Sequence, residues 1–324
     1  MHLIIDNYGV KIEVEDEKFK IAREEDIRYL SPLKLSSINI LKPCSITTAA
    51  LVLAAKSEVP VLLYDERGHV EAWVWSPRYG TIADIRITQA GFVKTEAATT
   101  WIIRLMQLKA QGHINNLKWL AGRIKSKKEL TERAIGLYNN SSRLYSGCTG
   151  PDEIRHAEAQ CSRIYWDSIA AALEKYILIP GRIRKGAEDR FNISLNYMYG
   201  ILYGQVEASL LMKGLDPSMG ILHINRHARP ALAFDHIEPF RPWVDKLVME
   251  LFMSGFAGPD NFTAATPEGD AYSFTSAGKR KLVERYFMFM EERSYLLGKR
   301  IKNKDHIHYL SSELVTALKK FKDP

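Results

Sequence analysis

Val59-Pro60-Val61-Leu62-Leu63-Tyr64-Asp65-Glu66-Arg67-Gly68-His69-Val70-Glu71-Ala72-Trp73-Val74-Trp75-Ser76-Pro77-Arg78-Tyr79-Gly80 is the stretch on which the fold turns. It opens as an apolar run, reverses at Asp65-Glu66-Arg67-Gly68, and continues with Val70, Ala72 and Val74 at a period of two, which reads as a β-hairpin. Ser76-Pro77-Arg78-Tyr79-Gly80 then breaks the pattern, because proline lacks the strand donor and glycine relaxes the backbone, and no convincing strand run follows. Upstream, Val10, Ile12 and Val14 alternate with Lys11, Glu13 and Glu15 between turn signals at Asn7-Tyr8-Gly9 and Asp16-Glu17, and Phe19 and Ile21 continue the period. Ser45 is placed to cap a short helix over Ile46 to Lys56. Downstream the spacing is helical: Trp101, Ile102, Leu105 and Leu108, then Ile154, Ala157, Cys161 and Tyr165, then Leu282, Tyr286, Phe289 and Met290. Ile307, Leu310, Leu314 and Leu318 make Lys299 to Lys322 an amphipathic helix. The expectation is an α+β chain, with a small mainly β domain over residues 1–80 and a larger all-α domain over residues 81–324.

The chain has 324 residues, 46% of them hydrophobic and 26% charged, which is ample material for a globular core. Its net charge of +7 is uneven: residues 1–80 hold 10 basic and 12 acidic side chains, against 35 and 26 in the remainder. The helical part therefore carries a basic field that favours a polyanionic partner. Cys44, Cys148 and Cys161 form no CxxC pair, so neither a disulfide framework nor a cysteine zinc site is indicated and a reducing, cytoplasmic compartment is expected. The N-terminus lacks a basic segment followed by a long apolar one. The longest charge-free run, Phe191 to Val206, is 16 residues with polar side chains inside it, so neither export nor a membrane span is expected.

His223, His227, Asp235, His236 and Glu238 fall within 16 residues of a chain with nine histidines. If Ala231 to Glu238 is helical, with Pro239 ending the turn, Asp235 and Glu238 are i and i+3 and share a face. The plainer alternative is a solvated acidic face. Glu158 follows Pro151 on a helix and shares a stripe with Ile154, Ala157, Cys161 and Tyr165, so it faces inward and must be paired, protonated or bound to a cation. Its plainer alternative is an ion pair with a core arginine. Together, Glu158, His223 and Glu238 offer two carboxylates and a neutral imidazole, a set that suits one Mg²⁺ or Mn²⁺ ion and phosphodiester chemistry, with Mn²⁺ the first to try. Other motifs fail: His156-x-Glu158 is followed by no PCxxC, and HExxH, GxGxxG and a complete phosphate loop do not occur.

The segment Leu195-Asn196-Tyr197-Met198-Tyr199-Gly200-Ile201-Leu202-Tyr203, with Val206-Glu207, Gly214-Leu215-Asp216-Pro217, Gly220-Ile221-Leu222-His223 and Arg229-Pro230-Ala231-Leu232-Ala233-Phe234-Asp235, resembles the CRISPR-associated integrase. That family is the endonuclease and integrase of the spacer-acquisition stage of CRISPR immunity. The likeness continues through Glu238, Phe240-Arg241-Pro242 and Val244-Asp245, and at long range through Glu158-Ala159 with Tyr165-Trp166, and it spans nearly the whole chain. It departs at Arg190, Met198, Asn225 and Pro239, none of which removes a proposed ligand.

The resemblance implies an N-terminal β domain for dimerisation and partner contact, a helical catalytic domain, and homodimers flanking a small ferredoxin-like CRISPR-associated partner dimer. It implies one divalent ion held by Glu158, His223 and Glu238, with Asp235 in the neighbouring acidic position as a further catalytic candidate. The DNA partners would be a protospacer fragment and the CRISPR leader-repeat, joined when a 3′-hydroxyl attacks a phosphodiester. Arg182, Arg184, Lys185, Arg190, Arg226, Arg229 and Arg241 flank the ligands and are the candidate phosphate contacts. A non-catalytic DNA-binding scaffold and a stand-alone nuclease acting on branched DNA are the competing readings.

Overall fold

The computed structural model describes residues 2–66, 68, 70–74, 82–223, 230–266 and 271–322. The segment in which the sequence places the domain boundary, and Arg226, His227 and Arg229, lie outside them.

The N-terminal region forms two four-stranded sheets. One has the order β1 (His2–Ile5), β5 (Ser37–Ile40), β7 (Val61–Tyr64), β8 (Val70–Val74), parallel except for the antiparallel β7–β8 pair that the opening stretch encodes. The other is a meander of β2 (Lys11–Glu15), β3 (Lys18–Arg23) and β4 (Asp26–Leu30), with β6 (Ser45–Ile46) parallel to β2. Ile12 pairs with Ile21 and Val14 with Phe19, so the period of two puts Ile12 and Phe19 in the core. Helix α1 (Thr48–Lys56) starts later than the sequence suggests. Ser45 is taken by pairing with β2, and the cap is instead Thr47, whose hydroxyl accepts from the Ala50 amide at 3.2 Å.

From residue 82 the chain is mostly helical: α2 (Ile82–Phe92), α3 (Glu96–Arg123), α4 (Lys128–Ser142), α5 (Pro151–Leu173), α6 (Arg190–Met212), α7 (Ala231–His236) and α8 (Arg241–Met253). Two short hairpins interrupt it. They are β9 (Phe262–Ala264) with β10 (Tyr272–Phe274), and β11 (Arg293–Leu296) with β12 (Lys299–Lys302), on either side of α9 (Ser276–Glu291). These strands correct the expectation of an all-α second part; three or four residues are too short for a period of two to stand out. Because β12 takes Lys299–Lys302, the C-terminal amphipathic helix α10 begins at Asn303 and runs to Lys322, with Ile307, Leu310, Leu314 and Leu318 buried as spaced.

Two apolar clusters result, one built within residues 5–61 and one within residues 92–318. Close backbone approaches fix the helices around the second. A Cβ on Gly112 of α3 would lie 2.6 Å from the Pro242 ring at the start of α8, and one on Gly204 of α6 would lie 2.1 Å from Val70 of β8. No helix among the described residues is long and apolar enough to cross a membrane.

Candidate active site

Helix α3 carries the unexpected member of the site. Lys109 is four residues from both Leu105 and His113, on the stripe that α3 buries, and is 5% exposed. The sequence pattern placed Leu108 on that stripe, yet Leu108 is only half-buried. Lys109 Nζ lies 2.6 Å from Glu158 Oε1 on α5 and 2.7 Å from Glu238 Oε2, which sits in a 3₁₀ turn, Glu238–Phe240, between α7 and α8. The contact with Glu158 is a hydrogen bond. That with Glu238 is an ion pair without hydrogen-bond geometry, leaving Glu238 Oε2 buried without a directed donor.

Three positive groups hold these acids ionised. Burial pushes the Glu158 carboxyl up, but the Lys109 ammonium beside it, a hydrogen bond from Ser162 and the nearby Arg184 outweigh this and hold it well below the usual carboxylate range. Burial acts the same way on Glu238, and Arg241 and Lys109 overcome it, holding that carboxyl at about 2. Arg241 Nε donates to Glu238 Oε1 at 2.8 Å, and its other arm reaches the Tyr203 hydroxyl. Burial opposes the charge on Lys109, but Glu238 and Glu158 more than compensate, so its pKa is raised.

Asp235 has a different neighbourhood from Glu238. Asp235 lies in the last turn of α7, which ends at His236, and Glu238 opens the following 3₁₀ turn that contains Pro239; the backbone stays helical between them, but the two carboxyls take different partners. Asp235 is fully buried and accepts the backbone amides of Ile221, Leu222 and His223 at 2.6, 3.0 and 3.0 Å. Its Oδ1 also lies 2.6 Å from His223 Nδ1. A carboxylate can only accept there, so Nδ1 is the donor, and the neutral form of the ring then carries its lone pair on Nε2. Arg155, one turn before Glu158, donates to the Leu222 carbonyl at 2.7 Å and ties this segment to α5.

Beneath the acids lies a buried polar network. Asp245 of α8 accepts from the hydroxyls of Tyr165, at 3.1 Å, and Tyr199, and lies 3.5 Å from His113 Nε2. The His113 ring stacks on Tyr165 at 3.7 Å, and Asn116 joins the Tyr165 hydroxyl to the Pro242 carbonyl. Burial lowers the His113 pKa despite Asp245, so this histidine is neutral. The network locks α3, α5, α6 and α8 together under the acid pair.

The expected phosphate contacts divide into two groups. Arg184 and Lys185 are exposed and line a groove of about 710 Å³ with Asn196, Tyr197, Tyr272 and Lys279. Arg184 also lines the pocket over Glu158 and Glu238. Arg182, by contrast, is spent on the Asn192 and Asn196 side chains at 3.1 and 2.7 Å, Arg190 packs 3.9 Å over the Tyr272 ring, and Arg241 holds Glu238. Among the described residues no three His, Cys, Asp or Glu side chains meet at one point.

A family model described as CRISPR associated protein Cas1 matches residues 3–287. The chain belongs to the Cas1 family. It is similar to CRISPR-associated endonuclease Cas1 2 of Saccharolobus solfataricus, at 29% identity over 262 residues, covering 78% of this chain and 76% of that one. Among solved structures it superposes on a casposase bound to integration product, with a TM-score of 0.79 and 22% identity, covering all of this chain and 92% of the casposase chain. A Cas6-RT-Cas1–Cas2 complex gives a TM-score of 0.77 at 19% identity, over 99% of this chain and 35% of that one. At these identities the two structures speak for the fold, and the α+β architecture is that of Cas1 proteins.

Proposed function

We propose that this Cas1-family chain is a divalent-metal-dependent DNA endonuclease and integrase that inserts short foreign DNA fragments into a CRISPR repeat array. The observation that carries the reading is the convergence of Glu158 and Glu238, from separate elements, on one buried cation position that Arg184 joins to a basic groove. Two carboxylates within 2.7 Å of a common cation fit a Mg²⁺ or Mn²⁺ ion, and His223 Nε2 is the donor that would complete the set. Such an ion, when bound, would polarise the scissile phosphate and neutralise charge growing on its oxygens.

The protein's own part is placement. Arg184 and Lys185 would hold the DNA backbone along the groove, and the Asp245 network would keep the acids fixed while the DNA is aligned. The 3′-oxygen of the incoming fragment forms a bond to phosphorus as the repeat's own 3′-oxygen leaves, so no covalent enzyme intermediate is needed. With water as the nucleophile the same site would nick DNA. Residues 1–80 would serve dimerisation and contact with a small ferredoxin-like partner dimer, residues 81–324 catalysis, in the cytoplasm.

Strand transfer and nicking on branched DNA in Mn²⁺, Mg²⁺ or EDTA test this, comparing the native chain with Glu158→Ala and His223→Ala. The expected result is metal-dependent activity lost in both variants, with DNA binding retained. Activity surviving both substitutions would move the site elsewhere; tight DNA binding with no activity in any sample would make the chain a scaffold.

A further inference from the structure

The two acids are already neutralised by the protein. Lys109, with 7% of its side chain exposed, bridges Glu158 and Glu238, and Arg241 makes a second contact with Glu238. The two negative charges are thus balanced by the two cations in direct contact with them, with Arg184 a further positive charge nearby. The pocket above them, lined by Ser162, Arg182 and Arg184, has a volume of only about 20 Å³, room for about one water. A divalent ion added to this set would leave two uncompensated positive charges in a water-poor space, where like charges a few ångströms apart repel strongly.

We infer that Lys109 is a resident counter-ion which a divalent metal must displace, and that a DNA phosphate at the pocket receives the displaced ammonium, so that metal uptake is coupled to DNA binding. The inference rests on the function proposed above. Lysine suits the role because its charge is a single point on a flexible four-carbon stem that can swing while remaining charged. Arg241 does not suit it, since its fork is fixed by Glu238 and Tyr203. The phosphate supplies negative charge that the metal-loaded pocket lacks, and by linkage each of metal and DNA tightens the other.

The test is Mn²⁺ affinity by titration calorimetry, with and without a short DNA duplex, for the native chain and Lys109→Met. The native chain is expected to bind Mn²⁺ weakly alone and about tenfold or more tightly with DNA, a coupling of about 1.4 kcal/mol. Lys109→Met is expected to bind Mn²⁺ tightly without DNA and to gain little from it. Equal Mn²⁺ affinity of the two proteins without DNA would overturn the role of Lys109 while leaving the metal site standing. No Mn²⁺ binding in any sample would overturn the metal site itself and the inference with it. Should Lys109→Met fail to fold, lysine acetylation of the native chain read by mass spectrometry gives the answer. Lys109 is expected to be protected without metal and reactive in saturating Mn²⁺, and protection unchanged by bound Mn²⁺ would overturn the displacement.

Discussion

Asp235 Oδ1 lies 2.6 Å from His223 Nδ1 and 3.0 Å from the amide of the same residue, so one carboxylate sets both the position and the proton of the imidazole. With Ile221 and Leu222 also donating to it, Asp235 has no acceptor capacity to spare and acts through His223. Asp235→Asn keeps the size but halves the acceptors and sets an amide donor among donors. Metal affinity and strand transfer are expected to fall by about 10- to 100-fold, as for other outer partners of a ligating histidine. Calorimetry with Mn²⁺ and circular dichroism on the same preparation check this, and undiminished metal affinity would assign Asp235 to loop packing alone.

Glu238 gives the fold an acid limit. Its folded pKa of about 2 lies below the ordinary 4.5, so its contribution is complete above 4.5 and is lost as pH falls from there towards 2. Glu158 is shifted in the same direction. Glu238→Gln leaves Lys109 and Arg241 short of a partner, and at neutral pH it is expected to cost about 3 to 5 kcal/mol, as for one half of a buried pair. The gap in melting temperature between native and variant should close as pH falls through that window. A gap independent of pH would mean that the charge on Glu238 does not stabilise the fold.

Gly112 sits where α3 meets α8, and a methyl group there would lie 2.6 Å from a ring carbon of Pro242, which cannot rotate away. Gly112→Ala is expected to destabilise by about 1 to 3 kcal/mol, as overpacking generally does, although alanine is the better helix former. Because the shift would move Lys109 relative to Glu238, activity should fall more than stability alone dictates. Chemical denaturation beside a nicking assay separates the two effects.

The opening hairpin, the α5 stripe around Glu158 and the core of α10 were legible because each repeats at a period its backbone imposes. The inward turn of Glu158 was legible for the same reason, but its partner was not: the pairing joins α3 to α5 across 49 residues, and nothing local links Lys109 to Glu158. The one available signal was a lysine four residues from both Leu105 and His113 on an otherwise apolar stripe. The i, i+3 spacing of Asp235 and Glu238 was legible, but not that one carboxyl is taken up by the amides of residues 221–223 and the other by Lys109 and Arg241, because those partners are distant in sequence or belong to a loop without periodicity. Short hairpins such as β9–β10 escape a periodic reading altogether.

Arg182, Arg184 and Lys185 are neighbours in sequence with different surroundings, and salt dependence separates them. Arg184 and Lys185 are exposed at the groove, so each that meets a phosphate releases counterions on binding. Arg184→Gln and Lys185→Gln are each expected to reduce the slope of log affinity against log salt by about one unit, with little change in melting temperature. Arg182 is held by Asn192 and Asn196 and lies against the Trp166 and Tyr199 rings, where burial lowers its pKa. Arg182→Gln removes those hydrogen bonds, leaving the part-buried Asn196 oxygen without its donor and the Asn192 oxygen with only the Ile183 amide, so it should lower the melting temperature and leave the slope unchanged. A slope that drops for Arg182→Gln and stays constant for Arg184→Gln would reverse the assignment and place the DNA backbone at Arg182 over the acid pocket rather than at the exposed Arg184.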